Sequence, residues 1–295
     1  MKNFKKVMCL FLLLSTHLYS QEKKPQIESV KVTDNIYMLK GAGGNIGVFV
    51  GEHEVFMIDD KFAHLTPEIL AAIKSITLKP VKYLMNTHWH GDHVGGNENM
   101  YKEGAIIVSH ENVRKRMSVE SLVRGKVKLP SPKEALPIIT FTNDMMFHLG
   151  DEDILVYHVH NAHTDGDSHI YFTNSNVLHM GDTYFQGKFP YIDLDSGGSI
   201  DGYIAAVDKA LHIIDDETII IPGHMDLSNK KELLTFKNML VDLRDKVQRE
   251  INKGKSLEEV KNNTTITQKY VADYDWSFIS AEKIRVAIYK SLKNK

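Results

Sequence analysis

The chain has 295 residues, 42% hydrophobic and 25% charged. These are the proportions of an ordinary globular protein, and they exclude a disordered, collagenous or coiled-coil polypeptide. With 36 Lys and Arg against 38 Asp and Glu, the formal net charge is −2, which leaves no electrostatic footprint for nucleic acid.

Lys2, Lys5 and Lys6 open the chain without any nearby acid, an apolar run follows from Val7 to Leu14, and small and polar residues lead to Ser20 and Gln21. That order predicts a secretory signal peptide over residues 1–20, cleaved near Ser20. The run is too short to span a bilayer, which takes about 20 residues. The alternative, a buried first strand or helix, suits the flanking lysines less well. Removing three lysines would take the net charge from −2 to −5. The only cysteine, Cys9, lies in the run behind Lys6, Val7 and Met8, which do not resemble a lipobox. A periplasmic or secreted mature chain, residues 21–295, is therefore expected, with no thiol, no disulfide and no stable membrane anchor. Cysteine catalysis and thiolate metal sites are excluded from it.

Short β-branched and aromatic stretches follow at Gln26 to Val32, Ile36 to Leu39, Ile46 to Val50 and Val55 to Ile58, with Gly41, Gly43 and Gly44 as punctuation. They predict antiparallel strands. A helix is expected next, with Thr66 as N-cap, Pro67 at its first position and Ile69, Leu70, Ile73 and Ile76 on one face. Strand Val81 to Met85 runs into a histidine-rich loop. The second half repeats the theme: strands Ile154 to Val159, Ile170 to Thr173 and Val177 to Met180, then a helix opened by Ser199, then strand Thr218 to Ile221. Helices are expected over Lys231 to Asn252 and near Ala281 to Leu292. Strands followed by helices, twice, predict two sheets with helices outside. With no flexible linker, residues 21–295 read as one domain, and Arg114 to Pro137 is its most variable piece.

The strongest local pattern is Asn86-Thr87-His88-Trp89-His90-Gly91-Asp92-His93. In an extended segment His88 and His90 face one side and can reach one metal ion, while a turn after Gly91 redirects Asp92 and His93 toward another. Nitrogen and carboxylate donors without sulfur suit zinc, with iron or manganese as alternatives. Three histidines and an aspartate within six residues, at the exit of an apolar strand, outweigh the usual reading of a histidine as structural.

With Asp59 at a strand end, Ala162-His163-Thr164, Gly181-Asp182-Thr183 and Pro222-Gly223-His224 following in order, the chain resembles the metallo-β-lactamase fold superfamily over about residues 30 to 225. The resemblance implies an αβ/βα sandwich of two mixed sheets with outer helices and the site at one edge. It implies two zinc ions, the first held by His88, His90 and His163, the second by Asp92, His93 and His224, with Asp182 bridging. Asp59 would be a buried carboxylate supporting the site from behind. Asp60 reads as solvated or as a cap. His158, His160 and His169 surround His163 without matching the family pattern. His53, His64, His110, His148, His179 and His212 read as surface or packing residues, and Asp165 and Asp167 as turn-shaping residues.

Two zinc ions so held imply hydrolysis of a carbonyl substrate by a shared hydroxide, with Asp92 the first choice for handling a proton. β-Lactams lead as substrates, through export and the Asp, His, His set at the second metal. Lactones and thioesters are the alternative, because Gly-Asp-Thr also resembles thioesterase-like and lactonase-like members. The family's usual lysine for a substrate carboxylate is replaced by Phe185, and Lys188 is the substitute candidate. An iron oxidoreductase of the same fold is a weaker rival. The expected partner is a small molecule, not nucleic acid, and the oligomeric state is left open.

Overall fold

The computed structural model describes residues 27–123 and 126–293. The expected leader, including Cys9 and the cleavage position near Ser20, lies outside them. Among the described residues the first sheet begins as a meander of four antiparallel neighbours, β1 (Glu28–Lys31), β2 (Ile36–Lys40), β3 (Ile46–Val50) and β4 (Val55–Ile58). The chain then crosses over and adds β5 (Val81–Asn86) and β6 (Ile106–His110) in parallel. The hairpin β7 (Ser121–Val123) and β8 (Lys126–Lys128) stands apart, and β9 (Ile139–Phe141) closes the sheet beside β6. A parallel return needs a long connection, and α1 (Thr66–Ile76) supplies it. This helix starts one residue earlier than its sequence suggests: Leu65 is the cap, Thr66 is buried inside the first turn, and Pro67 still sits where no amide hydrogen is needed.

Alternation along β4 explains the layering. Val55 and Met57 pack outward with Leu84 against Ile69 and Ile73 of α1. Phe56 and Ile58 point inward and, with Met85, meet Ile154, Val156, Ile170 and Phe172 of the second sheet. Each such fully buried side chain contributes on the order of 1.5–3 kcal/mol.

The second sheet has the order β10 (Asp144–Leu149), β11 (Glu152–His158), β12 (Ser168–Phe172), β13 (Val177–His179), β14 (Ile219–Ile221) and β15 (Ser228–Asn229). Short helices α2 (Gly91–Val94), α3 (Asn97–Lys102) and α4 (Glu111–Met117) follow β5 and β6. Helix α5 (Ile200–Ile213) makes the parallel crossover from β13 to β14, and Ser199 caps it by accepting from the Gly202 amide, as its sequence predicts. Outside this sheet, α5 packs with α6 (Lys230–Asn252) and α9 (Ala281–Lys293) through Tyr203, Val207, Leu240, Leu243, Ile284 and Ile288. Two short helices, α7 (Leu257–Asn262) and α8 (Val271–Tyr274), link α6 to α9. The result is the expected αβ/βα sandwich of two mixed sheets. Among the described residues no helix is long and apolar enough to cross a membrane.

Parallel pairing has one consequence for chemistry. Because β4 runs parallel to β5, and β13 to β14, the loops leaving all four strands gather at one edge of the sandwich.

Candidate metal centre

Those loops carry the histidines. Asp59 follows β4, His88 to His93 follow β5, His163 lies between β11 and β12, Asp182 follows β13 and His224 follows β14. Donor atoms of His88, His90, His163 and Asp182 all lie within 4.8 Å of one another, and Asp92, His93 and His224 form a second such group. The predicted split is therefore present: His88 and His90 join one group, and the short helix α2 turns Asp92 and His93 to the other.

Asp182 faces both groups, one oxygen to each. Its Oδ2 is 3.8 Å from His88 Nε2 and 3.5 Å from His163 Nε2, and its Oδ1 is 3.2 Å from His93 Nε2 and 3.3 Å from His224 Nε2. Burial opposes its charge, but His224 and His93 outweigh that and hold the carboxyl well below its ordinary range. Tyr203, from α5, donates its hydroxyl to the Asp182 carbonyl.

The outer nitrogen of four histidines is already committed. His88 Nδ1 meets Thr87 Oγ1 at 3.0 Å, and that hydroxyl itself donates to Asp59 Oδ2. His90 Nε2 donates to Asp193 Oδ2 at 2.8 Å, His93 Nδ1 to Asp59 Oδ2 at 2.7 Å, and His163 Nδ1 to the Tyr191 carbonyl at 2.7 Å. Each of these contacts leaves the inner nitrogen as a lone pair facing the group centre. His93 Nε2 and Asp182 Oδ1 are buried and make no hydrogen bond. A cation would satisfy such a set of converging nitrogen and carboxylate donors, so these residues fit metal ions.

Burial depresses His88 well below the usual histidine range and takes His163 down to about 4, so both offer neutral nitrogens. At His93 burial acts in the same direction, but Asp182, Asp92 and Asp59 outweigh it and raise it well above that range. Without metal, this ring is the natural place for a proton.

Asp59 reaches both groups, through His93 and through Thr87. It is fully buried, at φ 61°, and also accepts from the Thr87 amide at 2.7 Å. Asp60 is a correction: instead of being solvated it is buried, and its Oδ1 accepts from the Gly96 amide at 2.9 Å, with burial raising its carboxyl well above the ordinary value. Asp167 shapes the turn after His163 by accepting from the His163 and Thr164 amides. Asp165 instead pairs with Arg116 at 2.6 and 2.8 Å. His158, His160 and His169 join neither group; His158 Nδ1 donates to the Asp167 carbonyl and His169 Nε2 meets Thr183 Oγ1. His110 and His179 are packing residues, while His53, His64, His148 and His212 are exposed.

Asp193 was missed. Its carboxylate orients His90 and also accepts from Ser196 Oγ at 2.6 Å. Burial opposes its ionisation, but these bonds take it down to about 2. Nothing around it in the sequence forms a pattern.

A cleft of about 430 Å³ opens over the centre, lined by Gly43, Phe62, His90, Gly91, Asp92, Asp182, Phe185, Tyr191, His224, Trp276 and Phe278. Gly43, from the glycine loop after β2, flanks it. None of the described residues of the insertion Arg114 to Pro137 is in its lining; Met117 and Ala135 pack beside Trp89, with the Lys128 ammonium 4.5 Å from the Trp89 ring. Lys188 is not among the lining residues either. Phe185, where a lysine was looked for, stacks on His224 with ring centroids 5.0 Å apart and 6° between planes.

The sequence profile of the metallo-beta-lactamase superfamily matches residues 39–224, more than half of the chain. The chain is 24% identical over 263 residues to "Beta-lactamase-like protein 2 homolog" of Caenorhabditis elegans, covering 88% of this chain and 76% of that protein. It is 26% identical over 198 residues to "Hydroxyacylglutathione hydrolase" of Prochlorococcus marinus (strain NATL1A), covering 62% and 67%. In fold it is similar to a metallo-beta-lactamase from Pontibacter korlensis, with a TM-score of 0.63 and 19% identity over 74% of this chain and 100% of the other. A profile match of that extent settles the family: the chain belongs to the metallo-beta-lactamase superfamily.

Proposed function

We propose that this protein is an exported, dinuclear zinc-dependent hydrolase of a small carbonyl substrate. The observation that carries the reading is Asp182, buried between two histidine groups with one oxygen toward each. His88, His90 and His163 would hold one ion, Asp92, His93 and His224 the other, with Asp182 between them. Zinc supplies a water of lowered pKa and a Lewis acid for the carbonyl.

The rest falls to this chain's own groups. Asp92 borders the cleft with its side chain 26% exposed, where it can orient a water molecule and accept its proton. Asp59 and Asp193 keep His93 and His90 aimed inward. Phe62, Phe185, Tyr191, Trp276 and Phe278 exclude bulk water, which strengthens every charge interaction in the cleft.

For the substrate, the aromatic lining favours a lactone, ester or thioester with an apolar substituent, and among the described residues it includes no Lys or Arg. The name of the Prochlorococcus relative supports the thioester linkage, though its glutathione part carries carboxylates. β-Lactam hydrolysis is the second reading, supported by the Asp92, His93 and His224 set.

Chelator-treated protein titrated with zinc should take up two ions per chain and regain hydrolysis of a thioester or lactone. Asp182→Asn should retain one tight site and weaken the other, because a neutral amide bridges two cations poorly. Uptake of a single ion by the unsubstituted chain would reject the dinuclear reading, and tightly held iron in protein purified without added metal would favour an oxidoreductase. Faster turnover of a cephalosporin than of any lactone or thioester would restore β-lactams to first place.

A further inference from the structure

We propose that Trp276 and Phe278 form an apolar subsite of this cleft that selects substrates bearing an extended apolar acyl group; the inference rests on the hydrolase reading above. Both residues lie between α8 and α9, beyond the 39–224 segment that matches the family. This wall is therefore supplied by a part of the chain that the family match does not cover.

The segment is clipped to the cleft by backbone and ring contacts. Trp276 Nε1 donates to the Phe189 carbonyl at 3.0 Å, and the Phe189 amide donates to the Tyr274 carbonyl at 2.9 Å. Ile279, buried next to them, belongs to the core formed with α5, α6 and α9. Trp276 and Phe278 themselves stay only half-buried, with apolar surface facing the cleft.

Each of the two rings continues toward a metal-group histidine. Trp276 lies 6.0 Å from Phe185, which stacks on His224. Phe278 lies 5.5 Å from Tyr191, which stacks on His90 at 5.9 Å. Gly43, Gly91 and Phe62 complete the uncharged lining among the described residues. Apart from His90, Asp92, Asp182 and His224, the lining among the described residues is aromatic or glycine. A carbonyl placed over the centre thus has its substituent directed into an aromatic trough, where burial of apolar surface is a source of affinity.

The test compares kcat/KM for a hexanoyl and an acetyl thioester of the same thiol, using zinc-loaded enzyme. The unsubstituted enzyme should prefer the hexanoyl ester by roughly 10-fold or more, as expected from a few buried methylenes. Trp276→Ala and Phe278→Ala should each bring that ratio toward one, and Trp276→Phe should retain most of it; zinc content and melting temperature identify any variant that has lost its fold. Should Trp276→Ala fail to fold, Phe278→Ala alone decides. No preference in the unsubstituted enzyme, or a preference untouched by the alanine substitutions, overturns the proposal. If neither ester is hydrolysed, the hydrolase reading falls by itself. Hexanamide binding then decides the subsite: a saturable emission change that disappears in Trp276→Phe upholds it, and no change overturns it.

Discussion

Asp193 shows how much a single residue outside every motif can decide. It is the only hydrogen-bond acceptor given to His90 Nε2 among the described residues, and it fixes which nitrogen of that ring faces the first group. Asp193→Ala should weaken the first zinc site by roughly 10- to 100-fold, the usual effect of losing an orienting partner. The second site, served by Asp59 through His93, should change little. Competitive zinc titration with a chromophoric chelator would show this as one shifted and one unshifted binding step. Equal weakening of both sites would mean that Asp193 acts on the fold and not on His90. The seven ligand candidates were legible because their spacing is dense and their motifs stand in order. Asp193 was not, because it reaches His90 across 103 positions of sequence, a contact no local pattern records.

At the scale of elements, the turn after β2 is as closely fitted as the histidines it covers. A Cβ at Gly44 would stand 2.2 Å from His93 Cε1 and 2.5 Å from His93 Nε2, so the loop lies flat on the ring. Lys61, fully buried, donates to the Gly44 carbonyl and holds the loop there. Burial lowers its ammonium to about 8, while Asp92 and Asp59 act to raise it. Gly44→Ala should push His93 out of line and weaken the second site by about 10-fold or more, the scale expected when a ligand loses its orientation, with the first site intact. Zinc content after gel filtration should then drop from two ions per chain toward one. Unchanged stoichiometry would show that the loop can lift without cost. The sequence marked these glycines as punctuation; their function as a cover for His93 depends on packing between elements distant in sequence.

For the whole molecule, the number of buried histidines sets the response to acid. Burial takes His158, His163 and His179 to about 4 and His169 to about 3, whereas the same side chains in an unfolded chain take up protons near 6.5. The unfolded state thus binds more protons between about pH 6.5 and 4, and stability is lost as pH falls through that window. His88 and His110, also lowered by burial, add to this loss, while His93 and the buried carboxyls of Asp60 and Asp167, all raised in the folded state, act in the opposite direction, three groups against six. Metal-free protein should therefore show a urea midpoint that falls from pH 7.5 through pH 6 to pH 5, by more than one titrating histidine accounts for. A midpoint that stays level or rises would contradict the neutral, buried state of these rings.

What the sequence determined by itself was local or periodic. Alternation and apolar runs set the strands, Ser199 set a helix start, and the dense group from His88 to His93 announced metal chemistry. These signals survive because they rest on neighbours within a few residues, where backbone geometry converts spacing directly into direction. The tertiary structure decided everything that depends on juxtaposition. It buried Asp60, which reads as solvated or as a cap; it packed Met117 and Ala135 of the Arg114 to Pro137 insertion against Trp89; and it left Lys188 out of the cleft lining. It also brought Trp276 and Phe278 over a centre whose candidate ligands end at residue 224. Which side chains meet across the two sheets is set by crossover connections and packing of separate cores, and one-dimensional spacing holds no record of either.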